Sequence, residues 1–387
     1  MNAIQRIFNR ASSVEVSSAL PISSIDELPQ YKRVCFLSDI FRVDDRVVDK
    51  AVSPCIQNTK WLYTLLGPIL KVVTERTPEI LLEFPHPDPL SRMNFYRRTG
   101  REFNSSVWAS FYDNLNDKAI EEDFSSRFED ALVISYELPP YLIRALTSAR
   151  IPYIDFSIHP VRFLPDYVFG VRSNIRSISE RLISTQIPHE IIYDFARISA
   201  ARTANVFRSQ EPLPGSFIFF GQLTIDASLV SNGRLATFED VKEALSELSI
   251  NHSRVYYRAH PHCENPERIK EELKKFPRVR WVEWNSYDVI SLQTTTGIGA
   301  LSSGILHEAS YFGTPAKRFL PGRSYFYSQD DHANDIFPKQ LYTAAPPASV
   351  QHDYWRYIFH GGETPPLKLP EPSAQALRFV VNMKWGR

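Results

Sequence analysis

The sequence predicts an α/β fold built around parallel sheets, and three observations support this prediction. The chain has 387 residues, and 43% of them are hydrophobic, which suits two domains of ordinary size. Strand and helix patterns alternate from Ser216 to about Phe319, as they do in parallel sheets. Several of these strands end in polar loops, and ligands bind at the carboxyl ends of strands in open α/β sheets. We therefore expect a binding site formed by loops at one sheet edge.

Changes in composition divide the chain into four segments. Residues 1–30 are Ser-rich and aperiodic, and we expect a disordered or irregular lead-in there. A first Rossmann-like domain is predicted at 31–205 and a second at 206–345. The tail at 346–387 is Pro-rich, and we expect it, with its last helix, to pack back on the domains.

Apolar runs and capping signals place the elements in order. Thr237 and Asp240 have the spacing of a capping box, and Pro266 follows Asn265 at the start of the next helix. Strands are predicted at residues 33–37, 131–136, 153–158, 216–220, 254–259, 279–284 and 289–292. Helices are predicted near residues 61–74, 238–248, 266 onward, 305–312 and 374–383.

Charge and cysteine content exclude several classes of protein. Lys plus Arg and Asp plus Glu both number 44, so no global positive field draws the chain to nucleic acid or to an anionic membrane. Cys35, Cys55 and Cys263 are too few and too scattered for a disulfide framework or a zinc pair. The sequence shows neither a secretory signal nor a membrane span. We therefore expect a cytoplasmic protein.

The segment TTTGIGALSSG, residues 294–304, brings hydroxyls and small residues to the start of a predicted helix. Thr296, Ser302, Ser303 and free backbone N–H groups could bind a phosphate there. The alternative is that Ser303 only caps the helix and the glycines only form a turn. The glycine spacing matches neither a Walker A loop nor GxGxxG, which disfavours an NTPase or a dehydrogenase.

A second polar loop, RAHPH, begins at Arg258 and follows a predicted strand. Pro261 ends the strand and leaves His260 on the side of the crevice, with Arg258 two residues earlier on the same strand face. This pair could bind a phosphate, although a histidine at a strand end often only packs or caps. His262 and Cys263 have no partner pair with zinc spacing elsewhere, so no metal site is predicted.

Two acidic residues follow predicted strands in different domains. Asp226 lies in the loop GQLTIDASL with Gln222, and Glu137 begins the segment ELPP. Each acid could simply cap a loop or a helix. If the two carboxylates face each other across an interdomain cleft, they suit glycosyl transfer, which uses a nucleophilic carboxylate and a partner acid or base. No DxD motif is present, so a metal clamp on a diphosphate is not indicated.

Together, ELPP, GQLTIDASL, RAHP and SSG resemble the retaining β-Kdo transferases of capsule and lipopolysaccharide O-antigen assembly, which are related to the KpsC type. The matching motifs span residues 137 to about 315. The resemblance implies a GT-B-like arrangement, with two Rossmann-type domains facing across a cleft and CMP-β-Kdo bound mainly by the second. It implies that Asp226 is the nucleophile, that Glu137 is an acid or base, and that His260, Ser302 and Ser303 hold the CMP phosphate.

The expected function is therefore metal-independent transfer of Kdo from CMP-β-Kdo to a saccharide or lipid-linked glycan. Gln222, Arg258, His260, Thr296, Ser302 and Ser303 are the expected donor-binding residues, and no cofactor is expected. The resemblance also implies work at the cytoplasmic face of the inner membrane, next to polysaccharide assembly proteins. Two alternatives stay open, an inverting CMP-sialic or nonulosonic acid transferase with Asp226 as base, and a catalytically silent glycan-binding subunit.

Overall fold

The computed structural model describes residues 25–47, 53–85, 87–113, 115, 118–206, 214–223, 226–263, 265–291, 296–320 and 342–365. The helix predicted near 374–383 and most of the predicted lead-in lie outside these residues. Ile25, at the end of that lead-in, is buried and forms a parallel bridge with Ile175. In the ranges described, no helix is both long and apolar enough to cross a lipid bilayer.

Between residues 216 and 319 strands and helices largely alternate, as the sequence predicts, whereas three helices follow one another between residues 92 and 128. The strands are β1 (Arg33–Leu37), β2 (Glu79–Ile80), β3 (Ala131–Tyr136), β4 (Tyr153–Ile158), β5 (Phe169–Ser173), β6 (Phe217–Phe220), β7 (Val230–Ser231), β8 (Arg234–Leu235), β9 (Val255–Arg258), β10 (Val279–Val282), β11 (Gly297–Ala300), β12 (Ala316–Arg318) and β13 (Thr343–Ala345). The helices are α1 (Ile56–Thr74), α2 (Arg92–Arg98), α3 (Ser105–Tyr112), α4 (Lys118–Phe128), α5 (Pro140–Ser148), α6 (Arg176–Ser184), α7 (His189–Val206), α8 (Phe238–Asn251), α9 (Pro266–Leu273), α10 (Ser286–Ser291), α11 (Ile305–Tyr311) and α12 (His352–His360).

Two sheets organise the fold, and the predicted α/β class is confirmed. The first sheet has the strand order β13-β5-β4-β3-β1-β2, and its four strands from β4 to β2 run parallel. The second has the order β10-β9-β6-β11-β12 and is parallel throughout. The three predicted strands of the first sheet have the predicted bounds. Their near-continuous apolar sequences fit strands that are buried on both faces.

One predicted strand of the second sheet is wrong. The segment predicted as a strand at 289–292 belongs, as far as it is described, to helix α10, and the strand at this place in the sheet is β11. A Cβ at Gly299 would lie 2.7 Å from Phe319 and 2.8 Å from Phe217. The glycines therefore allow β11 to pass between aromatic rings. The same glycines had suggested a turn, because close packing and chain reversal both favour glycine.

The chain returns to the first sheet after the second is complete. The predicted boundary at residue 345 assigned β13 to the second domain, but β13 pairs antiparallel with β5 in the first sheet. Helix α12 follows and buries Tyr354, Trp355 and Ile358 in the core of the first sheet, beside α1. The aromatic stretch of the tail is therefore part of that core.

The carboxyl ends of the two sheets are joined by direct contacts. Glu308 of α11 is buried and accepts hydrogen bonds from the backbone N–H of Arg162, which follows β4, at 2.7 Å and from the Tyr287 hydroxyl at 3.1 Å. Burial raises the pKa of the Glu308 carboxyl to about 7. A Cβ at Gly304 would lie 3.0 Å from Pro160, so the start of α11 packs closely on the first domain. These contacts bring the strand-end loops of the two sheets together.

Candidate active site

Asp226 is held between the two domains by the segment that follows it. Its Oδ1 accepts a hydrogen bond from the backbone N–H of Ser228 at 2.9 Å and caps the short 3-10 helix Ala227–Leu229. Leu229 packs into the core of the second sheet, whereas Val230 packs among residues of the first domain. The Asp226 side chain stays exposed. Anchoring on both domains fixes this carboxylate at their junction.

Glu137 presents a second carboxylate from the end of β3. Its backbone is left-handed, with φ 56°, a conformation that is costly for a residue other than glycine and that recurs at functional sites. The Ser157 hydroxyl donates to Glu137 Oε1 at 2.9 Å. Although Glu137 is partly exposed to solvent, the surrounding protein desolvates its carboxyl. This desolvation and then the negative charge of Asp226 raise the pKa of Glu137. The two predicted acids therefore lie close enough for their charges to interact.

Gln222 and Ser302 join the exits of β6 and β11, which are neighbouring strands. Gln222 Nε2 donates to Ser302 Oγ at 3.0 Å, and Gln222 Oε1 accepts from the Ser302 backbone N–H at 2.6 Å. The Ser302 hydroxyl lies 3.2 Å from Ser228 Oγ. The amide of Gln222 thus connects the predicted phosphate loop to the residues that follow Asp226.

Ser303 stands at the start of α11. Its carbonyl accepts from the backbone N–H of Leu306 at 3.1 Å, and its hydroxyl lies 3.5 Å from the Ile305 backbone N–H. The residue before the helix is Gly304, which makes no side-chain cap. Ser303 is half-buried beside Ser302. Its hydroxyl therefore lies at the same sheet edge as Gln222 and Ser302. There it acts as a weak cap of the helix.

Arg258 is the last residue of β9, the other neighbour of β6, and His260 follows two residues later. His260 Nδ1 accepts from the His262 backbone N–H at 3.1 Å. In the neutral imidazole this bond assigns the ring proton to Nε2, which can then donate to a ligand. Arg258 donates from Nε to the Trp284 carbonyl and from Nη1 to the Ala259 carbonyl, both at 2.9 Å. These bonds tie Arg258 to the ends of the strands.

Thr296 does not join the other predicted residues. It precedes β11, so it lies at the amino edge of the sheet, opposite the exits of β6 and β9. Its hydroxyl donates to the Ser216 carbonyl at 2.9 Å and lies 3.1 Å from His252 Nδ1. The prediction placed Thr296 in a strand-exit loop, because the glycines after it were interpreted as a turn. The structure corrects that position.

Arg42, which the sequence patterns did not predict as a site residue, lies near this junction, and Asp39, also not predicted, lies buried beside it. Asp39 is buried, and it accepts hydrogen bonds from Trp108 Nε1 at 3.0 Å and from the Tyr141 hydroxyl. The Arg42 guanidinium stacks on the Trp108 ring, with its carbon 5.1 Å from the ring centre. Burial disfavours the charge of Arg42, but nearby groups, Cys55 first and then Asp39 and Asp226, outweigh it and raise its pKa. The signal was available, since both residues follow β1 at its carboxyl end.

The described residues contain no group of three or more His, Cys, Asp or Glu side chains that could hold a metal ion. Cys35 and Cys55 are buried and Cys263 is half-buried, all as free thiols. The site residues described above supply carboxylates, hydroxyls, an amide, an imidazole and a guanidinium.

Comparison with known proteins gives distant structural similarities. No family profile matches the chain, and no curated protein matches it significantly in sequence. Among solved structures, the chain is similar to Thermosulfurimonas dismutans KpsC, beta Kdo 2,7 transferase, with 16% identity, a TM-score of 0.36, and coverage of 72% of this chain and 95% of that one. The beta Kdo 2,4 transferase of the same organism's KpsC gives 14% identity, a TM-score of 0.32 and coverage of 74% and 79%.

A third similarity is to a Methanocaldococcus jannaschii UDP-GlcNAc 2-epimerase, with 11% identity, a TM-score of 0.26, and coverage of 91% of this chain and 99% of that one. These values describe a distant likeness of architecture.

Proposed function

We propose that the protein is a retaining glycosyltransferase that moves Kdo from CMP-β-Kdo to a saccharide or glycolipid acceptor. One observation carries the proposal. Asp226 and Glu137 come from different sheets, yet the charge of Asp226 contributes to the raised pKa of Glu137. A pair of carboxylates whose environments differ suits a division into nucleophile and acid or base. The sugar in this proposal, Kdo, is inferred from the sequence resemblance to β-Kdo transferases.

In the first step, a carboxylate oxygen of Asp226 attacks the anomeric carbon of Kdo. The bond between that carbon and the phosphate oxygen breaks, and CMP leaves with the electron pair. The product is an ester between Kdo and Asp226. The bond from the Ser228 backbone N–H to Asp226 Oδ1 orients the carboxylate for this attack.

In the second step, the acceptor hydroxyl attacks the same carbon and Asp226 leaves. Glu137, as a carboxylate, takes the proton of that hydroxyl. Two inversions give net retention. Desolvation by burial, the largest cause of the raised pKa of Glu137, persists after Asp226 is esterified, and it brings the basicity of Glu137 closer to neutral pH than that of an ordinary glutamate, which favours proton transfer.

The phosphate of the donor is assigned to the second sheet. His260 Nε2–H and the hydroxyls of Ser302 and Ser303 are the proposed donors to its oxygens, and Gln222 holds Ser302 in place through two hydrogen bonds. Arg42 lies on the other side of the cleft, where its positive charge offsets Asp226. Such donors bind a phosphate through protein groups alone.

The proposed acceptor is a saccharide or a lipid-linked glycan, and the proposed site of action is the cytoplasmic face of the inner membrane. This part of the proposal comes from the sequence resemblance. Partner proteins would belong to polysaccharide assembly.

The direct test is release of CMP from a panel of CMP-activated acidic sugars, with the stereochemistry of the product determined by NMR. We expect turnover with CMP-Kdo and a product that retains the β configuration. An inverted product would contradict the nucleophilic role of Asp226 and favour an inverting transferase. Glycan binding without release of CMP from any donor would contradict an enzymatic function.

A further inference from the structure

A buried ionic network lies directly behind Glu137. Asp155 of β4 and Arg172 of β5 are paired residues in adjacent strands, and both are buried. Arg172 donates to Asp155 Oδ2 from Nε at 2.8 Å and from Nη2 at 2.7 Å. Tyr342, which precedes β13, donates to the same oxygen at 2.7 Å, and the Arg172 guanidinium carbon lies 4.3 Å from its ring centre. Burying a charged pair is expensive, and its retention calls for an explanation.

The network is bonded to the peptide that follows Glu137. Asp155 Oδ1 accepts from the Leu138 backbone N–H at 2.9 Å, and Arg172 Nη2 donates to the Leu138 carbonyl at 3.2 Å. On the other side, the Glu137 backbone N–H donates to the Phe156 carbonyl at 2.8 Å. Both bonds restrain the backbone of Glu137, because each fixes the peptide on one side of its Cα atom. The bond from the Glu137 N–H restrains the φ angle of Glu137, and the bond from the Leu138 N–H restrains the ψ angle of Glu137.

These restraints explain why a glutamate holds a left-handed conformation. The cost of positive φ at a residue other than glycine is offset by bonds that the buried network makes only in this geometry. The turn directs the carboxylate toward the cleft, where Ser157 binds it. Three segments of the chain meet here, at β4, β5 and the return before β13.

We propose that Asp155, Arg172 and Tyr342 are positioning residues that hold the Glu137 carboxylate at the reacting atoms. The inference rests on the proposed function in one respect, the role of Glu137 as acid or base. The segment that goes back to the first sheet at β13 thereby acts on the active site through Tyr342. Displacing a catalytic group by about 1 Å can cost about a hundredfold in rate, so a network that fixes it is a condition of catalysis.

The test uses Tyr342→Phe in the full chain, because this change removes one hydrogen bond and no charge. We expect kcat to fall about tenfold, with the KM for the donor unchanged, since the donor phosphate is assigned to the other sheet. Tyr354→Phe is the matched control. It removes the hydroxyl of another buried tyrosine, which contacts Thr185, and should leave kcat unchanged.

A double-mutant cycle separates positioning from general loosening. In the Glu137→Gln background, Tyr342→Phe should change the residual kcat by less than about twofold, because the group it positions is absent. An equal loss of kcat in both backgrounds, or a wild-type kcat for Tyr342→Phe alone, would overturn the proposal. Asp155→Asn should lower kcat about a hundredfold. If that variant does not fold, the result for Tyr342→Phe alone decides the proposal.

Hydrogen exchange of the Leu138 amide gives a measurement that needs no donor. Tyr342→Phe should speed this exchange relative to that of the Val133 amide, which bonds to Pro152 in the same sheet. Unchanged Leu138 exchange would contradict the restraint on the turn. If the wild-type protein turns over no CMP-sugar, the proposed function fails, and the exchange result still decides whether the network holds Glu137.

Discussion

The two sheet edges that form the candidate site are built in different ways. At the second sheet, Gln222, Asp226, His260 and Ser302 lie in loops that directly follow single strands, and they are exposed or half-buried. At the first sheet, Glu137 owes its geometry to a buried network whose members, Asp155 and Tyr342, are 187 residues apart in the chain. The second edge is adapted to meet a ligand, and the first is adapted to hold one carboxylate still. The comparison predicts different kinetic signatures for changes at the two edges.

The largest effect is expected where the two edges meet, at Asp226. Asp226→Asn keeps an oxygen that can cap the short helix after it but removes the nucleophile. We expect kcat to fall by about ten-thousandfold or more, with the melting temperature unchanged. CMP release and thermal unfolding are the measurements, and Asp353→Asn, at an exposed aspartate of α12, is the control. Retention of a tenth of the activity would exclude the nucleophilic role.

A smaller effect is expected at the first edge. Glu137→Gln should lower kcat by about a hundredfold to a thousandfold with little change in the KM for the donor. In the wild-type enzyme the base is lost as the pH falls through the pKa of Glu137, which lies above the ordinary value of 4.5. The acidic limb of the kcat profile should therefore lie above pH 4.5 and be absent from Glu137→Gln. An identical limb in both proteins would assign it to another group.

Changes at the edge of the second sheet should alter the affinity for the donor nucleotide. His260→Ala removes one proposed donor to the phosphate, and we expect about a tenfold rise in the dissociation constant of CMP, measured by calorimetry. His262→Ala is the control, because His262 binds His260 through its backbone and should keep wild-type affinity. Equal losses in both variants would mean that the turn, and not the His260 ring, supports binding.

The smallest effect is expected at Thr296. Its hydroxyl bonds at the amino edge of the second sheet, so Thr296→Val should change the affinity for CMP by less than about twofold. A loss comparable to that of His260→Ala would show that the donor reaches the opposite edge, contrary to the geometry described.

The site residues at the edge of the second sheet were easier to predict from the sequence, because most of them lie within a few residues of a predicted strand. The strands predicted at 216–220 and 254–259 end in the structure at residues 220 and 258, and Gln222 and His260 follow these ends by two residues. The exception, Thr296, arose because Gly297 and Gly299 serve close packing of β11 against Phe217, and glycine alone does not distinguish this role from a turn. The error moved one residue to the wrong edge and left Ser302 in its predicted loop.

At the edge of the first sheet, Glu137 could be predicted from the sequence, but the buried network behind it could not. Asp155 interrupts the apolar strand YIDFSI, and a charge inside a buried strand requires a partner. Its partners, Arg172 of β5 and Tyr342 just before β13, lie far from it in the sequence, so only the topology reveals them. Glu137 was found by its place after β3, whereas its left-handed backbone depends on these distant contacts.

The central claim is that Asp226 attacks the donor sugar, and a covalent adduct tests it most directly. Glu137→Gln incubated with CMP-Kdo and without acceptor should accumulate one Kdo on the intact protein by mass spectrometry, and peptide mapping should locate it on Asp226. The slowed second step preserves the ester. Release of CMP with no adduct, while the same variant forms glycoside once acceptor is added, or an adduct at another residue, would contradict the account.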